Sequence, residues 1–248
     1  FQEDNSLGIS IGNFANEMTA LYVSQRDPLL FSDEALKEGI GNASREALTF
    51  GVFFFDYDLD GWLDLLTVNG HIEPEIQKVS PTQSYAQAPQ LFWNQRGKSS
   101  QRGFARVTAE SSGPDILTPL VGRGSAFGDL DGDGDLDVVV TQVGMEPKLF
   151  FNSAMPGQHY LRLKLNGTKG NRNAIGSVIR VRAGGKTMTS QVMPTRGYLS
   201  QSELPVTFGL GRTDKVEDVQ ITWSDGSKSN LPKPVIDRTI QVDQPKKQ

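Results

Sequence analysis

Asp129-Leu130-Asp131-Gly132-Asp133-Gly134-Asp135-Leu136-Asp137 sets five carboxylates at alternate positions in nine residues. Like charges at that density repel one another, so a compact fold needs something to neutralise them. A hard cation held by several oxygen atoms does so, and calcium is the usual one. The pattern occurs a second time, as Asp56-Tyr57-Asp58-Leu59-Asp60-Gly61-Trp62-Leu63-Asp64. Both stretches read D-x-D-x-D-G-x-x-D. A solvated acidic turn without metal is the plain alternative, and the crowding of carboxylates in both copies weighs against it.

The spacing defines a cage. Asp56, Asp58 and Asp60, and likewise Asp129, Asp131 and Asp133, turn three side chains inward from a curled loop. Gly61 and Gly134 stand where the chain must bend sharply, at positive φ. Position seven, Trp62 or Asp135, offers its backbone carbonyl, and position nine, Asp64 or Asp137, closes the cage. An EF-hand needs Glu at position twelve and helices on either side. Position twelve here is Thr67 or Val140, so that reading fails. The flanks are strand-like instead: Phe50–Phe55 and Leu65–Val68 around the first loop, and Val138–Thr141 after the second.

Each loop belongs to a longer repeat of strand, acidic loop, strand and an L-F-aromatic-N strand, the last being Leu91–Asn94 or Leu149–Asn152. The tail Phe104–Ala109 follows the first of these. A degenerate unit precedes both, with Gly8–Asn13 and Ala20–Val23 as its strands. Its loop, Asn13 to Ala20, carries one carboxylate, so no metal is expected there. Ser32–Glu38 reads as a capped short helix. From Asp64 to Leu91 is 27 residues, against 12 from Asp137 to Leu149. The excess, 69–89, is polar and holds Pro74, Pro81 and Pro89, which predicts a long surface insertion. His71 and His159, the only histidines, fit neither a zinc spacing nor a nucleophile–base pattern and are read as structural or exposed.

From about Gly157 the repeats give way to short alternating strands, at Tyr160–Leu165, Ser177–Arg182, Val219–Trp223 and Thr239–Val242. Turn signals separate them at Asn166-Gly167, Gly184-Gly185 and Ser224–Ser227. Gly197–Gln201 and Phe208–Gly211 are read as tight turns, and Gln244–Gln248 as a frayed tail. The chain is therefore expected to be all-β, with domains at 1–156 and 157–248, the second a small antiparallel sandwich or barrel.

Charge divides at the same place. Residues 1–156 carry 10 Lys and Arg against 22 Asp and Glu, and residues 157–248 carry 15 against 7. The basic residues after 157 are scattered along alternating strands, as in Leu161-Arg162-Leu163-Lys164-Leu165, the ordinary wet face of a sheet. No clustered patch suggests nucleic acid, and attraction between the two parts is the better use of the asymmetry. With 37% hydrophobic and 22% charged residues among 248, the sequence is that of a folded protein. No apolar run approaches a membrane span. Cysteine is absent, which excludes disulfides and thiol chemistry. The chain begins at Phe1, so a processed or truncated product is expected.

These residues carry a resemblance. The F-G-x-x-D-x-D-x-D-G-x-x-D repeats resemble the FG-GAP/VCBS repeats of integrin α-subunit propellers and of many secreted bacterial proteins. Asn171–Gly211, followed by Val219–Trp223, resembles the ASPIC/UnbV domain, and Asn69–Ile72 and Arg123–Asp129 also match that group. The order of the two modules is that of cartilage-acidic-protein-like proteins. The resemblance implies a β-propeller with two calcium sites, one on Asp56, Asp58, Asp60, Asp64 and the Trp62 carbonyl, the other on Asp129, Asp131, Asp133, Asp137 and the Asp135 carbonyl. Three repeats fall short of the roughly four to eight blades that close a propeller. The remaining blades are expected from the same precursor or from another chain.

A non-catalytic module that binds a protein or glycan outside the cell, on its surface or in the periplasm is the leading expectation for function. A carbohydrate-active enzyme or its associated subunit, and a structural subunit of a surface assembly, are the alternatives. Asn42-Ala43-Ser44 and Asn166-Gly167-Thr168 are sequons, informative only in a eukaryotic source.

Overall fold

Residues Asp64–Asn69 are buried at every position. A strand hidden on both faces lies between two other layers, and the N-terminal part of the chain is built that way. A computed structural model describes residues 6–95, 103–153, 156–168 and 170–246, which form an all-β chain of five sheets.

The first sheet is β1 (Gly8–Ile11), β2 (Ala20–Ser24) and β3 (Phe31–Asp33). The second is β4 (Thr49–Phe55), β5 (Asp64–Asn69), β6 (Gln90–Asn94) and β7 (Phe104–Arg106). The third is β8 (Gly122–Gly128), β9 (Asp137–Gln142) and β10 (Lys148–Phe150). Each is an antiparallel meander in chain order. Alternation along the strands divides the middle sheet between two cores. Phe92 and Leu65 join Leu21, Val23 and Ile40 of the first unit in one cluster. Phe53, Phe55, Leu66 and Val68 pack against Val138 and Val140 of the third sheet in the other. The acidic loops are the β4–β5 and β8–β9 hairpin connections, so both strand flanks fall where the sequence puts them.

The remaining strands, β11 (His159–Asn166), β12 (Val178–Ala183), β13 (Lys186–Gln191), β14 (Val206–Gly211), β15 (Val216–Thr222), β16 (Lys228–Pro232) and β17 (Thr239–Asp243), form two sheets. Their orders are β14-β11-β17 and β13-β12-β15-β16. A separate core that includes Leu161, Leu163, Ile179, Val181, Ile221 and Trp223 fills the space between them. This is a sandwich, with no closed barrel among the described residues. Nor is it wholly antiparallel, because β11 and β17 pair in parallel from Arg162↔Thr239 to Asn166↔Asp243.

Other expectations need correction. Ser32–Glu38 is not a helix. Ser32 and Asp33 end β3, and Asp33 Oδ1 accepts the amides of Leu21 and Ala35, so the cap serves a turn over 35–39. Phe208–Gly211 is strand, not turn, since β14 pairs with β11 there. Gly197–Gln201 does hold a turn, closed by a Gly197↔Ser200 bridge. Gln244 is buried, and its amide bonds to the Asn166 carbonyl at 2.8 Å, so the tail is tied down at that point. Lys247 and Gln248 lie outside the described residues. Within 69–89, His71 is buried, and its Nδ1 accepts the Glu73 amide at 3.0 Å. His159 pairs with Asp237 at 2.8 Å.

Candidate metal centre

Aspartates that hydrogen-bond their own backbone curl both loops. In the first, Asp56 Oδ1 accepts the Asp60 amide at 3.1 Å and Oδ2 the Gly61 amide at 2.9 Å. Asp60 Oδ1 accepts the Trp62 amide at 2.9 Å. In the second, Asp129 Oδ1 accepts the Gly132 amide at 2.8 Å, and Asp133 Oδ1 the Asp135 amide at 3.1 Å. Gly61 and Gly134 take φ of +84° and +101°, the left-handed bend their positions predict.

The curl gathers Asp56, Asp58 and Asp60 in one loop and Asp129, Asp131 and Asp137 in the other, one carboxylate oxygen from each residue lying within 4.8 Å of the rest of its triad. Carboxylate oxygens gathered within that span are a donor set that a hard divalent cation can bridge. Asp56 and Asp58 are buried, whereas Asp131 and Asp133 are exposed. Burial, with Asp60 and Asp58 beside it, holds the Asp56 carboxyl well above the usual carboxylate range. Burial, with Asp56 nearby, does the same to Asp64. A divalent ion offsets that cost by neutralising the group.

The ninth position has a second task. Asp64 stands outside the first triad and spends both oxygens on amides, Oδ2 on Tyr57 at 3.1 Å and Oδ1 on Asn94 at 2.7 Å. Asp137 belongs to the second triad yet repeats the arrangement with Leu130 and Asn152, both at 2.8 Å. Each ninth aspartate thus ties its loop to the third strand of the repeat or the residues that follow it. The sequence signal was there, as the Asn closing both L-F-aromatic-N motifs, but its bond to the loop was not foreseen. Asn152 Nδ2 also reaches the Tyr57 carbonyl at 2.6 Å and so joins one repeat to the loop of the other. Asp133 lies outside the second triad. Trp62 keeps its ring buried, with Lys186 Nζ 4.7 Å from the ring centre, and Asp135 is buried.

The C-terminal sandwich sits on both loops. Gly211 N–H donates to the Leu59 carbonyl at 2.8 Å. A β-carbon at Gly209 would lie 2.1 Å from Asp56 Oδ2, so glycine is what lets β14 approach. Tyr160 packs on Gly134, where a β-carbon would meet its ring at 2.0 Å. Arg162 is not on a wet face, as its place in the alternation suggests. It is buried, with Nε 3.4 Å from Asp129 Oδ2 and its guanidinium paired to Glu203. Of these two pairs, Arg162 with Asp129 crosses between the two parts, and Arg162 with Glu203 lies within the C-terminal one. Glu203 N–H donates to the Phe127 carbonyl at 3.1 Å and Ser202 Oγ accepts the Phe127 amide at 3.2 Å, so the same segment covers the edge of β8.

Residues 167–248 match the family model described as ASPIC and UnbV. No curated protein matches the chain. The matched ASPIC and UnbV segment begins after β11, so Arg162 and Tyr160 lie upstream of it, while Glu203, Gly209 and Gly211 lie within it.

Proposed function

We propose that this chain is a calcium-binding module of an extracellular, cell-surface or periplasmic protein, and that it acts by binding a protein or glycan rather than by catalysis. In this reading the three stacked sheets are FG-GAP/VCBS blades forming part of a β-propeller. The observation that carries it is the convergence of Asp56, Asp58 and Asp60, two of them buried, on a space that fits a calcium ion. All-carboxylate loops of this kind suit compartments where calcium is plentiful. The stacking of successive meanders, with β4 facing β8, supports the propeller. The acidic side chains are engaged in shaping the loops, which leaves recognition to the surfaces that the loops hold in place.

Calcium titration of the chelator-treated protein, followed by calorimetry and thermal melting, tests this. Two binding events and a rise in melting temperature are expected, and Asp58→Asn should remove one event. Melting that is the same in calcium and in chelator would refute the proposal.

A further inference from the structure

Arg162 is a fixed positive charge inside an interface. Its side chain is 6% exposed, and a guanidinium does not lose its proton within a protein. It faces Asp129 through Nε at 3.4 Å, both oxygens of Glu203, and Thr207 Oγ1 through Nη1 at 2.8 Å. Glu203 Oε2 in turn accepts the Asp129 amide at 3.4 Å. Asp129 is therefore claimed twice, by its loop triad and by this guanidinium. Both side chains of the Arg162–Asp129 pair are 6% exposed, so water screens it little.

We infer that Arg162 sets the cation affinity of the second loop, acting as a protein-borne competitor for the Asp129 carboxylate, and that Glu203 moderates it by holding the guanidinium back. The inference rests on the calcium reading above and deepens it. A positive charge beside a ligand oxygen disfavours the arrival of another cation. Removing the guanidinium frees Asp129, so affinity rises. Neutralising Glu203 leaves the guanidinium to Asp129 alone, so affinity falls. By linkage, an ion in the second loop also weakens the hold of Arg162 on that loop, which couples occupancy to the seating of the C-terminal sandwich.

The test uses the whole chain carrying Asp58→Asn, which disables the first triad. Terbium is bound in place of calcium, with luminescence sensitised by Tyr160, and calcium is titrated against it. Arg162→Gln should tighten calcium by about tenfold, the effect of one nearby charge. Glu203→Gln should weaken it, and Arg162→Lys should stay near the parent. Both neutral variants loosen the same interface, so a merely structural salt bridge would shift the two affinities in the same direction or not at all. Either result overturns the inference. If Arg162→Gln does not fold, Glu203→Gln decides alone, and unchanged affinity overturns it. Failure of the unsubstituted chain to bind either ion would instead overturn the calcium reading, and the inference with it.

Discussion

Asp64 shows how one side chain in a repeated motif can differ in task from its neighbours. Asp58 belongs to a triad, whereas both oxygens of Asp64 hold backbone amides of Tyr57 and Asn94. Asp64→Ala leaves those amides without their acceptor, and relief of a buried carboxylate offsets part of the loss. A net destabilisation of about 2 kcal/mol is expected. It should persist in chelator, whereas the loss from Asp58→Asn should appear only in calcium; urea unfolding in both buffers checks this. The raised Asp56 and Asp64 carboxyls add a pH dependence to the metal-free chain. A folded-state pKa above the unfolded value means that the folded form binds the proton more tightly. Its contribution is complete below the ordinary carboxylate range and is lost as pH rises through the raised value. In chelator, melting temperature should therefore climb on mild acidification, and calcium should flatten the slope by taking the place of the proton.

At the scale of elements, legibility followed the two faces of each strand. β4, β5, β8 and β9 were readable because an apolar run abuts a loop whose chemistry fixes the turn. β13 and β16, neither with a buried residue, offered no such run and were missed. β14 was misread because Gly209 and Gly211 look like turn residues, when Gly209 is there to let a strand approach Asp56. Parallel pairing of β11 with β17 joins residues 77 apart, as in Arg162↔Thr239, and no local pattern encodes it. Arg162 was misplaced for the same reason: alternation predicts solvent wherever a distant loop does not intervene. Burial on both faces also carries a prediction. Phe92 is wholly buried in the core shared with the first sheet, so Phe92→Ala should cost about 3–5 kcal/mol. Leu149, 46% exposed on β10, should change stability by less than about 0.5 kcal/mol when made alanine. Thermal or urea unfolding of the two variants checks the contrast.

For the molecule as a whole, among the described residues, the middle sheet is covered on both faces, and the outer two each leave apolar side chains exposed on one. Register places Ile9, Ile11 and Tyr22 together on the face of the first sheet turned away from Leu21 and Val23, and all three are exposed. On the third sheet Leu149 pairs with Val139 and Val139 with Ala126, on the face turned away from Val138 and Val140. In the repeat these are equivalent positions: Ala126, Val139 and Leu149 correspond to Phe53, Leu66 and Leu91, which the next sheet covers. The exposed faces therefore differ from each other as the two faces of one joint do. A surface of this kind associates head to tail, and such contacts close into a ring if the rotation allows. The isolated chain should accordingly self-associate with rising concentration, in sedimentation velocity, through unlike faces. Ile9→Lys or Leu149→Lys alone should suppress it, because each joint needs both halves. Mixing the two variants should restore only a capped dimer, since each then offers one intact face. Association that neither substitution affects would mean that the faces are not a joint.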